Sequence, residues 1–471
     1  MYLIDYEHPV RVHFIGIGGI SMSGLAEILL DRGFEVSGSD RAPSEITGIL
    51  EEKGIKVFYG QKASNISDDI KLVVYTAAIH EDNEEFAEAK RRGIPILKRA
   101  ELLGQIMGNY EVSVAVAGTH GKTTTTSMVT DILMAADLDP TVSVGGMLRE
   151  IGGNIRIGRS GYFVTEACEY TNSFLSFKPT ANIILNIEED HLDFFKDIED
   201  IRSSFRRFAG LLPKEGILVI NSDIDRYKEI TDGLECNVLT VSPSEGADAG
   251  YTATDVSFDG SGCASFTVIR SAEAAGICGL EEGAAGRYEL KVPGGHNIGN
   301  ALAAIALAEF LGIDSDKIAS GFLAFRGTDR RFQIKGKLGE ATVIDDYAHH
   351  PTEIRATLST AANYPHERII CVFQPHTYSR TKAFFDEFVD ALKGADIIVL
   401  APIYAARETD TLGISSDMIS EALKKIGKES YSFSTFSEIE EFLRKKSCKG
   451  DLLITMGAGD IVKVGEDLIG T

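Results

Sequence analysis

Between Val112 and Met128 the sequence reads VSVAVAGTHGKTTTTSM, and these residue types suit the holding of a nucleotide triphosphate. Gly118 and Gly121 let backbone N–H groups approach phosphates across Thr119 and His120. Lys122 can reach the outer phosphates, the hydroxyl of Thr123 can bind Mg²⁺, and Thr124 opens a helix whose N-terminus adds positive dipole. The common phosphate loop has four residues between its glycines; here only Thr119 and His120 intervene. A plain strand-to-helix turn with a surface lysine would use similar residues. The placing of Gly-Lys-Thr where an apolar strand becomes a helix favours the nucleotide.

A second glycine cluster, Gly16-Ile17-Gly18-Gly19-Ile20-Ser21-Met22-Ser23-Gly24, follows the strand-like Val10–Ile17 and runs into a helical pattern. The next strand ends in Ser39-Asp40. Gly-rich turn, helix over a phosphate, and a carboxylate for a ribose or base is half of a dinucleotide-type βαβ unit. Ser21 breaks the G-x-G-x-x-G pattern. Taken alone, the segment also fits a nicotinamide dehydrogenase or a turn made for close packing.

Further groups fall after predicted strands, where ligands gather in an open α/β sheet. Glu166 follows Tyr162–Thr165, and His191 follows Asn182–Asn186. Glu166 with Thr123 offers hard oxygen donors for one Mg²⁺ or Mn²⁺ ion, and His191 suits a second ion or a bridging water. A solvated turn carboxylate and a helix-capping histidine are the plainer readings. Glu169 and Asp190 follow the same logic more weakly. Asn297 and Asn300 lie three apart at the start of an alanine-rich helix, spaced to meet a base edge with His296 stacking beside it, although capping residues would share that spacing.

The elements that must carry these groups alternate strand and helix throughout, which predicts an α/β protein of three domains at residues 1–108, 109–327 and 328–471. The last domain repeats the rim pattern, in Asp345-Asp346-Tyr347-Ala348-His349-His350 and in Gln374-Pro375-His376-Thr377-Tyr378-Ser379-Arg380. Residues 243–288 read as a β meander without chemistry. With 70 acidic against 47 basic residues the net charge is −23, which argues against nucleic acid as a partner. The six cysteines are unpaired in spacing, as in a reducing cytoplasm. No apolar run is long enough to span a membrane, so a cytoplasmic protein without a membrane partner is expected.

Taken in order, the motifs resemble the Mur ligases of peptidoglycan synthesis across essentially the whole chain. Gly118–Thr124 is similar to that family's short phosphate loop, and Gly16–Gly24 to the sugar-nucleotide turn of its alanine-adding member. His296-Asn297 with Asn300, Arg330-Arg331-Phe332, Asp346-Tyr347 with His349–Glu353, and Phe373–His376 also match. The resemblance implies an N-terminal Rossmann-like UDP-binding domain, a central P-loop ATPase-type domain with a mixed or parallel sheet, and a C-terminal Rossmann-like α/β domain. It implies an ATP-dependent ligase joining L-alanine to the lactyl carboxylate of UDP-N-acetylmuramate, as a monomer or weak homodimer. A sister activity adding a recycled peptide and a non-catalytic nucleotide-binding regulator are the alternatives.

In residues, the resemblance implies UDP-sugar contacts at Gly16, Gly18, Gly19, Ile20, Ser21, Met22, Ser39 and Asp40. It implies ATP contacts along Gly118–Thr124 and at His296, Asn297, Asn300, Arg331 and Asp346. Thr123, Glu166 and His191 would hold metal. Tyr347, His349 and Arg380 would meet the amino acid, with Lys122, His349 and Arg380 catalytic and His349 taking the amine proton at a pKa near neutrality. Three departures stand out. Ser203-Ser204-Phe205-Arg206-Arg207 replaces a modified lysine that several members carry, as it does in the alanine-adding member. Thr377 stands where many have arginine, and Cys168-Glu169-Tyr170 replaces a more acidic stretch.

Overall fold

In the computed structural model, which describes residues 2–76, 79–148, 153–406 and 408–470, the apolar runs of the sequence become the strands of three sheets flanked by helices. By its internal packing the chain divides into two units: Met1–Ile187 with Arg202–Thr240 and Ala306–Lys317, and Glu188–Ile201 with Val241–Ile305 and Ile318–Thr471.

The first unit opens with five parallel strands in the spatial order Lys56–Tyr59, Glu35–Asp40, Arg11–Ile15, Leu72–Tyr75, Ile96–Lys98. The order reverses beside Arg11–Ile15, so the glycine turn that follows this strand sits at the switch point where such sheets bind ligands. A further group of strands runs Ile217–Asn221, Ala181–Ile184, Val112–Ala117, Tyr162–Ala167, Thr141–Leu148, Gly153–Arg156, parallel except for the last pair. Val112–Ala117 is central and buried from Ser113 onward, which is why it reads as a continuous run of small apolar residues rather than an alternation.

In the second unit the 243–288 region is an antiparallel meander, Tyr251–Phe258, Cys263–Arg270 and Gly283–Pro293, interrupted by the helix Ala272–Cys278. The alanine-rich helix spans His296–Phe310, with Asn297 and Asn300 in its first turns. Six strands then run in the order Gln333–Leu338, Ala341–Asp346, Asp451–Met456, Arg368–Phe373, Ile397–Leu400, Glu429–Ser432, with only the first antiparallel to its neighbour. Alternate residues of these strands enter two separate cores. Ile344, Cys371 and Phe373 pack on one face, and Val343, Ile370 and Val372 on the other, each under its own layer of helices. Among the described residues no helix is long and apolar enough to cross a membrane.

Candidate active site

The loop after Val112–Ala117 is built from backbone geometry that side chains would obstruct. Gly118 has φ +145° and a Cβ there would lie 3.1 Å from Leu185; Gly121 has φ +82° and caps the helix Lys122–Ala135 without a side-chain cap, leaving the first amides of that helix facing the loop. Asn186, two residues past the end of the neighbouring strand, pins the loop from beneath. Its backbone carbonyl accepts the Thr119 N–H at 3.2 Å, its Oδ1 accepts the His120 N–H at 2.7 Å, and its Nδ2 donates to the His120 carbonyl at 3.1 Å.

Lys122 folds back over this loop. Its Nζ donates to the carbonyl of Gly118, to that of Thr119 at 3.1 Å and to Glu169 Oε2 at 3.2 Å. Burial alone would favour the neutral amine. The carboxylate of Glu169, reinforced by Cys168 and Glu166, outweighs it and holds the ammonium charged well beyond the usual range. Glu166 sits opposite Val116 in the adjacent strand, and its Oε1 is buried without a hydrogen-bond partner among the described residues. A buried carboxylate oxygen left unpaired costs kilocalories unless a cation meets it. With the Thr123 hydroxyl in the first helical turn, Glu166 therefore fits a hard divalent ion such as Mg²⁺ or Mn²⁺. Glu169 is buried too, but its charge is matched by Lys122.

The turn at Gly16–Gly19 is anchored by the end of the next strand. The Ser39 carbonyl accepts N–H groups from Gly16 at 2.8 Å and Ile17 at 2.9 Å, and Asp40 Oδ2 accepts the Gly18 N–H at 2.8 Å. A Cβ at Gly18 would come within 2.8 Å of that same oxygen. Gly19 and Ile20 lie open at the start of the helix Ile20–Asp31, with Ser21 half-buried beside them. Two of the expected contacts face inward instead. Met22 is buried with its N–H bonded to the Gly19 carbonyl, and Ser39 is fully buried with its hydroxyl donating to Glu85. Alternation along the strand sends Ser39 into the core, so its part in the turn is its carbonyl.

In the second unit, His191 adopts φ +53°, with its N–H bonded to Asp190 Oδ1 and its Nε2 3.7 Å from Asp190 Oδ2. Asp190 Oδ1 also takes two donors from Arg380, Nε at 3.1 Å and Nη2 at 2.8 Å, while Arg380 Nη1 meets His376 Nδ1 at 3.0 Å. Asp190 is thereby committed to a guanidinium rather than to metal. The segment 188–190 makes two more such contacts: Thr352 Oγ1 donates to Glu188 at 2.5 Å, and His350 Nε2 meets the Glu189 carbonyl at 3.1 Å.

His349 Nδ1 faces two acceptors, the Tyr347 carbonyl at 3.1 Å and Glu353 Oε2 at 3.2 Å, which places its proton on Nδ1 and leaves Nε2 an acceptor. The expectation of a near-neutral pKa is not met: burial, with Arg380 adding to it and Glu353 opposing, pushes His349 down to about 3. His376 is likewise pushed down to about 4 by burial and Arg380. Asp346 accepts the Phe332 and Ala348 N–H groups, each at 2.8 Å, and burial pushes its pKa up to about 6 against the pull of Arg331.

Of the arginine pair, Arg330 is a staple. It bonds Asp345 Oδ2 at 2.9 Å and the carbonyls of Gly457 and Gly459. Arg331 is half-buried, 3.6 Å from Glu353 and stacked over Tyr347, and is the better placed of the two to meet a ligand. Asn297 departs from expectation. Its Nδ2 donates to the Pro293 carbonyl at 2.8 Å and its Oδ1 accepts from Asn300 at 3.0 Å, so its amide stiffens the helix start rather than facing a base. His296 stands exposed at that helix start. A cavity of about 280 Å³ is lined by Asp190, His191, Ser379, Arg380, Lys382 and Leu412, among others.

Family models match nearly the whole chain: the Mur ligase family catalytic domain over residues 11–111, the Mur ligase middle domain over 116–308, and the Mur ligase glutamate ligase domain over 330–459. The chain belongs to the Mur ligase family. Among its relatives, a protein of Agathobacter rectalis named UDP-N-acetylmuramate–L-alanine ligase is 58% identical over 471 residues, covering 100% of both chains. One of the same name from Lachnospira eligens is 58% identical over 469 residues. The crystal structure of UDP-N-acetylmuramate-alanine ligase from Thermotoga maritima superposes with a TM-score of 0.78 at 31% identity, covering 98% of each chain. A murein peptide ligase from Psychrobacter arcticus shares the fold, with a TM-score of 0.69 at 23% identity over 98% of each chain.

Two features of this Mur ligase escaped the sequence. Asn186 lies two residues past the end of its strand, at the rim where loops meet, and that offset is the signal in the sequence that points to it. Glu408, which takes the Ser379 N–H at 2.9 Å and its hydroxyl, left no local pattern at all. Thr377 has φ +64° and ψ 146°, a conformation rarely adopted outside glycine. Lys382, not a second arginine, is the cation beside Arg380 in the cavity lining.

Proposed function

We propose that this Mur ligase joins L-alanine to the lactyl carboxylate of UDP-N-acetylmuramate, with ATP converted to ADP and phosphate. The observation that carries this reading is full-length identity of 58% to proteins named for that reaction, in a chain whose phosphate loop holds a lysine kept charged by Glu169 and is flanked by Glu166, whose buried Oε1 has no hydrogen-bond partner among the described residues. The three matched segments would serve sugar nucleotide, ATP and amino acid in turn.

A carboxylate does not condense with an amine in water because oxide is a poor leaving group. Transfer of the ATP γ-phosphoryl to the lactyl carboxylate gives an acyl phosphate; the neutral amine of L-alanine then adds to its carbonyl carbon, and phosphate leaves. Lys122 and the open amides at the helix start neutralise charge on the transferring group. Glu166 and Thr123, with His191 as the candidate for a second ion, would hold Mg²⁺, which supplies further charge neutralisation. Arg331 and Asp346 are the ATP contacts we favour from the last segment. The cavity beside Arg380 combines cations, carboxylates and the apolar Leu412, which suits a small zwitterion. His349, neutral and with Nε2 free to accept, would orient the amine rather than hold its proton.

The test is phosphate release from ATP and Mg²⁺. Release requiring both UDP-N-acetylmuramate and L-alanine supports the reading; release only with the L-alanyl-γ-D-glutamyl-diaminopimelate tripeptide would replace it with the recycling activity. Because the His349 pKa lies near 3, the imidazole stays neutral above about pH 4 and does not titrate in the working range. His349→Gln should therefore raise KM for L-alanine about tenfold, the loss of one hydrogen bond to a charged or polar group, and leave the shape of the kcat profile between about pH 6 and 9 unchanged. Disappearance of an acid limb centred near pH 6.5 would restore the general-base role.

A further inference from the structure

Glu85 lies in the helix Glu84–Arg92, where its neighbours are charged and solvated, yet it is 0% exposed. Its carboxylate enters the space beneath the glycine turn and collects donors there. Oε2 accepts the Ser39 hydroxyl at 2.5 Å, Oε1 accepts Asn65 Nδ2 at 2.6 Å, and His13 Nε2 faces Oε1 at 3.6 Å. His13 is itself fully buried and bonds Ser37 through Nδ1 at 3.0 Å. No substrate-facing role accounts for this cluster, and a buried ionisable pair is poor stabiliser: apolar replacements of similar volume are often neutral or stabilising.

What the cluster does is fix one peptide. Ser39 carries on its backbone the carbonyl that takes both the Gly16 and Ile17 N–H groups, and the next residue, Asp40, takes the Gly18 N–H. Rotation of the Ser39 peptide would release two consecutive amides and shift the third. The side chain that resists this rotation is the Ser39 hydroxyl, and Glu85 holds it. We propose that Glu85 is a positioning residue for the sugar nucleotide, acting through Ser39 to set the geometry of the Gly16–Gly19 turn. The proposal rests on the reading of that turn as the sugar-nucleotide site. Two donors converge on Glu85, the Ser39 hydroxyl and the Asn65 amide, and an acceptor-only carboxylate matches both; a glutamine must turn its own NH₂ toward one of them.

The test uses the full-length enzyme and its Glu85→Leu, Glu85→Gln and Gly18→Ala variants. Calorimetry gives the Kd for UDP-N-acetylmuramate, steady-state kinetics give KM for all three substrates, and thermal melting reports stability. Both Glu85 variants should weaken sugar-nucleotide binding about tenfold, a 1.4 kcal/mol change, with KM for ATP and L-alanine within about twofold of the parent; Glu85→Leu also leaves the buried Ser39 and Asn65 donors unpaired and should melt lower than Glu85→Gln. Glu85→Gln, the isosteric change, carries the test if Glu85→Leu does not fold. A drop in melting temperature with unchanged Kd would make Glu85 merely structural and overturn the proposal, as would equal rises in all three KM values. Gly18→Ala should also weaken the sugar nucleotide, since its Cβ meets Asp40 at 2.8 Å. If it leaves the Kd untouched, the turn is not the site and that reading fails regardless of Glu85.

Discussion

Lys122→Met should lower phosphate release by about a thousandfold or more, the largest effect of any single change in this chain. The ammonium is held at the loop mouth by two carbonyls and by Glu169, and it remains charged because that carboxylate outweighs burial. Methionine keeps the stem and removes the charge that the transferring phosphoryl group requires. Removal also strands Glu169, 3% exposed, without its partner, at a cost of about 3–5 kcal/mol for a broken buried pair. Loss of turnover could then be confused with loss of fold. The double variant Lys122→Met with Glu169→Gln separates the two, because it takes away both charges. Its melting temperature should return toward that of the parent while turnover stays lost. Recovery of turnover in the double variant would show that Lys122 serves only to balance Glu169.

Glu166→Gln should do something different: stabilise the ligand-free protein and abolish most of its activity. The buried Oε1 has no hydrogen-bond partner among the described residues, and neutralising the group removes a desolvation cost of about 1–3 kcal/mol. The same change removes the charge that would face a divalent ion, so turnover should fall at least about a hundredfold. The Mg²⁺ concentration for half-maximal rate should rise with it. Melting without nucleotide, together with a Mg²⁺ titration of turnover, reads both effects. A variant that melts lower and keeps its parent's Mg²⁺ dependence would remove Glu166 from the metal site. A stability–activity trade of this sign is expected where a site is built for a charge the folded chain does not itself supply.

The parts of this molecule that could be read in advance are those governed by local rules. The run Val112–Ala117 appears as the predicted strand because an apolar stretch of that length, broken by glycine, has few other fates. The loop glycines and Lys122 follow the end of one strand and Glu166 lies near the end of its neighbour, the rim where an open sheet gathers ligands, and local rules suffice to place them there. Burial was less legible. Ser39 and Met22 were expected at the ligand, but strand alternation and helix facing turn them inward, where Glu85 and the core receive them. Asn297 sits three residues from Asn300 as expected, yet its amide is taken up by the Asn300 donor and the Pro293 carbonyl. The pKa of His349 depends first on its burial and then on Glu353 and Arg380, of which Arg380 lies a helix and a strand away, and no local pattern carries that information.

The grip of Asn186 on Thr119 and His120 has a consequence for how nucleotide is recruited. Many phosphate-binding segments become ordered only as the ligand arrives, and the lost chain freedom is then subtracted from affinity. Here three hydrogen bonds from one residue hold the loop in shape beforehand. Its entropy is surrendered when the domain folds, not when the nucleotide lands. Encounter can then lead to capture without a rearrangement of this segment, and any slow step in binding must arise elsewhere in the chain.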